Sequence, residues 1–364
     1  MVSKGERIVF LDYLRFAACF MVMVIHSCEP FYLGGEGMLV AGRGDALCVT
    51  AVECICRVCV PLFVMASGYL LFPVVQPTGV FFRRRFARVA VPFFVWSAAY
   101  IWFSGGSWGK ALFNFPDEGG HLWFVPMLLG VYLLMPLFSP WAEKVSRSEL
   151  RGWLALWLVT TTFPYLRRLW GALYGEPAFG AVPYLYGECP WNMFGAFHYV
   201  SGFAGYMLLG FYFRKFAEVR EWRRTLGAAV PLMAVGMAII GCGFYFRIPG
   251  FPYRAEYAMA VDLEMSIEYC SLGVVLATAG AFMVLRKFTA QGALYRCVVR
   301  PAAEASYGAY LMHMFMLPAV LEAIRPHCAT PVAILATAAI TFALASIAGR
   351  AIGKIPVIGR WLVG

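Results

Sequence analysis

Residues 7–29 read RIVFLDYLRFAACFMVMVIHSCE, a hydrophobic run long enough to cross a lipid bilayer as one α-helix. The run nevertheless contains Asp12, Arg15 and His26. Charged side chains at membrane depth are costly, so they mark either function or a paired structural role. Arg15 and His26 are about three helical turns apart, so both project from one face, with Asp12 one turn below Arg15. The sequence therefore predicts that this face lines a polar cavity or packs against partners.

The composition is that of an integral membrane protein. Of the 364 residues, 61% are hydrophobic and 14% are charged, and the mean hydropathy is +0.70. Apolar runs of about 20 residues, separated by short polar loops, predict an all-α polytopic helix bundle and not a barrel. No stretch is long and polar enough to form a soluble domain, so we predict a single membrane-embedded domain over residues 1–364.

The apolar runs predict about ten transmembrane helices. Lysine and arginine are roughly three times as frequent in the loops on one side as on the other, which predicts that both termini are cytoplasmic. The same bias accounts for the net charge of +10, so we predict no nucleic-acid partner. The predicted helices are roughly residues 7–28, 49–72, 89–104, 121–139, 152–166, 195–213, 225–245, 264–285, 304–322 and 331–352.

A dense basic cluster, Arg83, Arg84, Arg85 and Arg88, lies in the segment PVVQPTGVFFRRRFAR, which we predict to be a cytoplasmic loop. The positive-inside rule alone explains basic residues at this position. However, three consecutive guanidinium groups repel one another, and guanidinium groups bind phosphate oxygens bidentately. A cytosolic phosphorylated ligand is the functional interpretation of this cluster.

Several other predicted helices carry polar residues. In the second helix, Glu53 and Arg57 are spaced i,i+4, as in a self-neutralising ion pair, and Ser67 precedes a glycine that would let another chain approach closely. Hydrogen bonding between helices is the default role for the remaining polar residues, but together they predict a hydrated cavity. These residues are His121 and Trp123 in the fourth helix, Glu264, Glu268 and Ser271 in the eighth, and Ser306, Tyr310 and His313 in the ninth.

The soluble-enzyme signatures GxxxxGK and HExxH do not occur in the sequence. The cysteine spacing at Cys54, Cys56 and Cys59 does not place three thiols on one helix face, and we predict no metal site.

The sequence resembles the acyltransferase 3 family of membrane O-acyltransferases, in particular its short members that modify bacterial surface polysaccharides. The matching segments occur in the family's order. They are LDYLRFAACFMVMVIH, with Arg-x10-His at Arg15 and His26, RVCVPLFVMASGYLLF, the basic segment with Arg-x-Arg at Arg83 and Arg85, HLWFVPMLLGVYLLMPL and SYGAYLMH. The resemblance implies a ten-helix fold, a cytosolic acyl-CoA donor (usually acetyl-CoA), and a sugar hydroxyl outside the cytoplasm as acceptor.

Combining the residues with this resemblance gives a hypothesis for each site residue. His26 removes the acceptor's proton or briefly carries the acyl group, Arg15 polarises the acyl arm, and Asp12 orients Arg15. Two further groups complete the hypothesis. The donor-binding residues are Arg83, Arg85, Arg88 and Ser67, and the acceptor-side candidates are His121, Trp123, Glu264, Glu268, Tyr310 and His313.

The resulting prediction is a multi-pass acyltransferase of the bacterial inner membrane, whose partners are acyl-CoA, a glycan or lipid-linked saccharide, and membrane lipids. An exporter of a glycan or small metabolite is the alternative, because a bundle with a polar lining suits either function. A third interpretation is a non-catalytic member of a polysaccharide assembly complex. The acceptor, the identity of the acyl group and the oligomeric state are left open by the sequence.

Overall fold

The computed structural model describes residues 7–31, 43–109, 117–163, 165–166, 173, 200–247 and 268–364. These residues form helices and contain no β-strand, which confirms the all-α prediction. The α-helices are α1 (Val9–Cys28), α2 (Arg43–Cys56), α3 (Cys59–Leu71), α4 (Thr78–Ser104), α5 (Phe124–Lys144), α6 (Arg147–Thr160), α7 (Ala204–Lys215), α8 (Trp222–Arg247), α9 (Leu272–Leu285), α10 (Arg300–Met312), α11 (Leu317–Ile324), α12 (Thr330–Gly353) and α13 (Gly359–Val363).

Within the described ranges, six helical segments are long and apolar enough to cross a membrane. A bent pair, Tyr295–Phe315 with Leu317–His327, would add a seventh segment. These segments support a multi-pass membrane protein, whereas the predicted count of ten stays a prediction. The six segments are Val9–Phe31, Gly44–Leu71, Thr78–Ser104, Gly120–Lys144, Trp222–Gly243 and Thr330–Gly353.

The chain divides into two compact units that alternate along the sequence. Unit 1 comprises Met1–Cys28, Pro73–Glu143 and Phe288–Gly364. Unit 2 comprises Glu29–Phe72 and Lys144–Lys287. The prediction of a single domain over residues 1–364 stays a prediction.

In unit 1, α1 packs against α10 and α12. Phe16 and Phe20 of α1 both meet the ring of Phe342 in α12 edge to face, with centroid distances of 5.3 and 5.7 Å. Where α10 crosses α12, the position of a Cβ on Gly308 would be 3.6 Å from the Cα of Gly349. Small residues let the two backbones approach closely, as is typical of membrane helix pairs.

In unit 2, glycines hold two helix pairs in close contact. A Cβ on Gly68 of α3 would overlap the backbone carbonyl of Met207 in α7, and a Cβ on Gly210 would overlap that of Met65. The same holds for α8 and α9, because a Cβ on Gly236 would be 2.5 Å from the carbonyl oxygen of Gly273. Only glycine fits at these positions, so the glycine after Ser67 serves helix packing.

The structure corrects the prediction that the basic segment after the second helix is a loop. The connection is short, and α4 already begins at Thr78, so that Arg83 and Arg88 lie on its early turns. Arginine and alanine favour helix, and Pro77 precedes the helix where its missing N–H is tolerated. Because consecutive residues of an α-helix point to different sides, the arginine side chains of this segment do not all project from one face of α4.

Candidate active site

Three histidines of unit 1 form a cluster, called here the histidine cluster (His26, His121 and His313). The ring centroids of His26 and His313 are 5.0 Å apart, and those of His121 and His313 are also 5.0 Å apart. The third separation, between His26 and His121, is 6.2 Å. His313 is fully buried, and the other two rings are partly exposed. The sequence assigned these residues to separate helices, and the structure brings them together.

Each histidine is positioned by a helix end. His26 lies in the last turn of α1, and His121 lies in the 3₁₀ helix Asp117–Trp123 that precedes α5. The predicted polar face of α10 continues only to Tyr310, because α10 ends at Met312 and His313 begins the 3₁₀ turn His313–Phe315. Pro318 explains this break, since proline has no N–H to donate to the carbonyl four residues earlier and its ring clashes there. The chain bends by 62° at this point.

The hydrogen bond of His313 fixes which of its nitrogens carries the proton. Its Nδ1 lies 2.6 Å from the backbone oxygen of Tyr310. A carbonyl oxygen can only accept, so Nδ1 donates, and in the neutral ring Nε2 is then an acceptor. This Nε2 is buried and has no hydrogen-bond partner among the described residues, and the same is true of Nε2 of His121. A hydroxyl group entering the cluster would satisfy such an acceptor.

Aromatic side chains hold the histidine cluster in place. The hydroxyl of Tyr310 donates to the backbone oxygen of His121, and the hydroxyl of Tyr100 donates to that of Leu311 at 3.0 Å. The Tyr100 ring stacks on Phe315 with a centroid distance of 4.1 Å and meets His121 edge to face at 4.9 Å. Tyr310 is therefore a positioning residue. Tyr100 and Phe315 could not be identified from the sequence, because aromatic residues are frequent in this chain and these two have no distinctive spacing.

A second polar group of unit 1, called here the arginine pair, consists of Arg15 on α1 and Arg85 on α4. The two guanidinium groups repel each other electrostatically, and both interact with Tyr132 on α5. The Arg85 Nε is buried without a hydrogen-bond partner in the described part of the chain. Two like charges that share a half-buried position would be stabilised by an anion between them. The arginine pair can therefore hold a phosphate or the carbonyl of an acyl group.

The other arginines of the basic segment behave differently. Arg83 and Arg88 are exposed on α4, and Arg84 donates from Nη1 to Oε1 of Gln76 at 3.1 Å. Of the Arg-x-Arg motif, only Arg85 turns toward the interior of unit 1. The structure thus brings Arg85 together with Arg15 and leaves Arg83 and Arg88 at the surface.

Asp12 is buried and belongs to an ion-pair network at the start of α1. Its Oδ2 accepts from Arg7 Nε at 2.5 Å and from the Tyr295 hydroxyl at 2.7 Å, whereas the nearest nitrogen of Arg15 is 3.9 Å from Oδ1. The hydrogen bond from Arg7 to this carboxylate is the main cause that raises the pKa of Arg7. The hypothesis that Asp12 orients Arg15 is therefore modified, because its closest partners are Arg7 and Tyr295.

We expect Asp12→Asn to lower the free energy of unfolding by about 1–3 kcal/mol, since the buried group would lose its ion pair while Arg7 remains partly solvated. The matched control is Glu304→Gln, which removes a contact of 2.6 Å to the same Arg7 at an exposed position. The control should cost less than about 1 kcal/mol. Thermal unfolding of the purified protein measures both, and equal losses would contradict the structural role of Asp12.

The remaining predicted site residues are Trp123, Ser67, Glu264 and Glu268. Trp123 ends the 3₁₀ helix that carries His121 and is 38% exposed. Ser67 lies on α3 in unit 2, and Glu264 lies outside the described residues. Glu268, also in unit 2, precedes α9. The prediction that Glu268 lies within a helix is therefore wrong.

The reason for this correction is a hydrogen bond at the start of α9. The N–H of Leu272 donates to the carbonyl of Thr161 at 3.1 Å and not to the carbonyl of Glu268, so the helical pattern begins only after Ser271.

The Glu53–Arg57 pair of the same unit forms as predicted, with 3.4 Å between Nη1 and Oε2, and Arg57 lies over the ring of Tyr269 at 4.4 Å. Its role is structural.

Among the described residues, no group of three or more histidine, cysteine, aspartate or glutamate side chains is arranged to hold a metal ion. The absence of a metal stays a prediction. Neutral imidazole groups such as those of the histidine cluster can act as bases and as hydrogen-bond acceptors.

Comparison with known proteins gives one result. A family model described as an acyltransferase domain matches residues 8–350. Searches of curated proteins and of solved structures find no significant match. The family match includes both the arginine pair and the histidine cluster, and it covers nearly the whole chain. The protein therefore belongs to the acyltransferase 3 family and is a membrane acyltransferase.

Proposed function

We propose that the protein is an O-acyltransferase that moves an acyl group, in the first instance acetyl, from cytosolic acyl-CoA to a sugar hydroxyl. The acceptor is a glycan outside the cytoplasm or a lipid-linked saccharide, and the location is the bacterial inner membrane. The observation that carries this proposal is that α1 connects the arginine pair, in which the buried Arg85 Nε has no hydrogen-bond partner among the described residues, with the histidine cluster at its other end. A donor that is both phosphorylated and activated as a thioester needs these two kinds of group.

The donor would bind by its phosphates and reach along α1. Arg15 and His26 are separated by about 16 Å along the helix axis, at 1.5 Å per residue. The phosphates would lie beside Arg85, where the buried Nε has no hydrogen-bond partner among the described residues. The flexible arm of acyl-CoA would then place its thioester near His26. Arg83 and Arg88, which are exposed, would attract the donor electrostatically from solution.

His26 would act as general base in the simplest mechanism. The acceptor hydroxyl gives its proton to the imidazole, its oxygen attacks the thioester carbonyl carbon, and the carbon–sulfur bond breaks. The departing CoA thiolate then takes the proton from the imidazolium. In the second mechanism, the His26 nitrogen first attacks the thioester carbonyl carbon, the carbon–sulfur bond breaks, and the CoA thiolate leaves. The acceptor oxygen then attacks the acyl-imidazole, the bond from carbon to nitrogen breaks, and the proton of the hydroxyl passes to the released imidazole or to the thiolate. In both mechanisms, Nε2 of His313 would accept a hydrogen bond from a second hydroxyl of the acceptor and position the sugar.

The topology that this proposal requires is the one that the sequence predicts, with about ten transmembrane helices and both termini in the cytoplasm. The basic start of α4 then faces the cytosol, and the end of α1 that carries His26 faces the opposite side. The donor and the acceptor would approach the reaction centre from different compartments.

We expect labelled acetyl-CoA, added to membranes that contain the protein, to transfer its label to a membrane-associated glycan. Membranes from cells that lack the protein are the control. Mass analysis of the glycan identifies the modified sugar and the acyl group. Transport of unmodified glycan without labelling would favour the exporter, and neither labelling nor transport would favour a non-catalytic partner, so either result contradicts the proposal.

A further inference from the structure

Unit 2 contains a basic cavity of about 370 Å³ that the proposed reaction does not use. We call it the arginine cavity, and its arginines are Arg147 and Arg151 from α6, Arg220 and Arg224 from the start of α8 and the preceding connection, and Arg286 from the end of α9. Glu218 is the single acidic residue of this lining. In the sequence, these arginines are part of the lysine and arginine bias that the positive-inside rule explains.

That rule explains basic residues on one side of a membrane, but it does not require them to surround a common space. Here three separate parts of the chain contribute guanidinium groups to one cavity. Four of the arginines are exposed, and Arg286, with 8% exposure, is buried. The mutual repulsion of these charges is unfavourable unless an anion binds between them.

Arg286 supplies a second, independent observation. Its Nη2 donates to the carbonyl of Ala217 at 2.8 Å, but its buried Nε has no partner among the described residues. Burial also lowers the pKa of this guanidinium, whose neighbours are aromatic rings such as Phe213 at 5.4 Å. A buried donor on a cation that lines a cavity is satisfied when an anionic acceptor occupies the cavity.

The wall of the arginine cavity is held in place before any ligand arrives. Arg151 Nε donates to the Tyr212 hydroxyl at 3.0 Å. The backbone oxygen of Arg220 accepts from Lys287 Nζ at 2.9 Å and from the Thr225 hydroxyl at 3.2 Å. These bonds hold the connection between α7 and α8, and Arg220 and Arg224 line the cavity from this part of the chain.

We propose that the arginine cavity binds a ligand that carries phosphate groups, either the head group of an anionic phospholipid or a soluble diphosphate ester. Guanidinium groups bind phosphate oxygens bidentately, and several of them in one place suit more than one phosphate oxygen. The volume is that of a ligand site and exceeds what one small ion fills. Basic pockets near the cytoplasmic ends of membrane helices bind phospholipid head groups in this way.

The test measures ligand binding directly and uses a variant that removes two exposed cavity charges, Arg220→Gln with Arg224→Gln. The matched control is Arg223→Gln, an exposed neighbour on α8 that does not line the cavity. All proteins also carry Arg15→Gln and Arg85→Gln, so that binding at the proposed donor site does not contribute. Two probes are used: titration with inorganic diphosphate, and native mass spectrometry of phosphatidylglycerol retained from mixed phosphatidylglycerol–phosphatidylcholine nanodiscs.

We expect the cavity variant to bind one of the two probes at least about tenfold more weakly than the parent, and the Arg223→Gln control to bind within about twofold. Loss of phosphatidylglycerol alone identifies a lipid head group, and loss of diphosphate binding identifies a soluble ester. If both probes bind the cavity variant as they bind the control, the proposal is overturned. Because binding is read without acyl transfer, the outcome is independent of the proposed enzymatic function.

Discussion

His26→Ala is expected to lower the rate of acyl transfer by about 10²- to 10⁴-fold, the range that a positioned general base contributes. The physical reason is that His26 is the member of the histidine cluster that lies on α1, the helix that also carries Arg15, and its ring is partly exposed. His313 is fully buried, and its Nδ1 proton is committed to the Tyr310 carbonyl. The rate is measured with labelled acetyl-CoA in membranes that hold equal amounts of each protein.

The matched control is His327→Ala, which removes an exposed imidazole in the 3₁₀ turn Arg325–His327, outside the cluster. It should leave the rate within about twofold of the parent, as is usual for a surface substitution. Rapid gel filtration of the parent protein at neutral pH, after brief exposure to labelled donor without acceptor, separates the two mechanisms, because only the acyl-imidazole mechanism leaves label on His26. A folded His26→Ala protein with full activity would exclude both mechanisms.

The second large effect is expected at the arginine pair. Arg15→Gln and Arg85→Gln should each raise the KM for acyl-CoA by about 10- to 100-fold, because a hydrogen bond to a charged group contributes about 1.5–3 kcal/mol. If both side chains hold the same phosphate group, the effects of the single substitutions will not add in the double variant. Initial rates over a range of acyl-CoA concentrations separate KM from kcat for the three variants.

Arg350→Gln serves as the charge-matched control for the arginine pair, since Arg350 is an exposed residue near the end of α12. It removes the same formal charge without touching either group of the candidate site, so its KM should equal that of the parent. An unchanged KM in the Arg15→Gln, Arg85→Gln double variant would remove the donor assignment. A fall in kcat alone would instead show that the arginine pair acts in the transition state and not in donor binding.

The sequence predicted best what depends on a single helix. The polar face of α1 follows from the helical repeat alone. The placement of Arg15 and His26 on one helix could therefore be inferred without any knowledge of packing. The i,i+4 pair of Glu53 and Arg57 in unit 2 was predictable for the same reason. Both features are local, and both appear in the structure.

What could not be predicted depends on contacts between distant segments or on helix boundaries. The approach of His121 and His313 to His26 requires the packing of three segments that are far apart in sequence. The inward direction of Arg85, in contrast to Arg83, depends on where α4 begins, and boundaries are the least reliable part of such a prediction. The start of α9 after Glu268 depends on a hydrogen bond to Thr161, which no local pattern reveals.

The reciprocal glycine contacts between α3 and α7 limit how substrates can travel through unit 2. At Gly68 and Gly210 the two backbones touch, and no side chain separates them. The contact between the two backbones leaves no space for an acyl arm or a sugar ring, so neither can pass between α3 and α7 unless the helices separate. Any lateral opening for substrate in this unit must therefore lie between other helices. We expect α3 and α7 to move together as one rigid body during turnover.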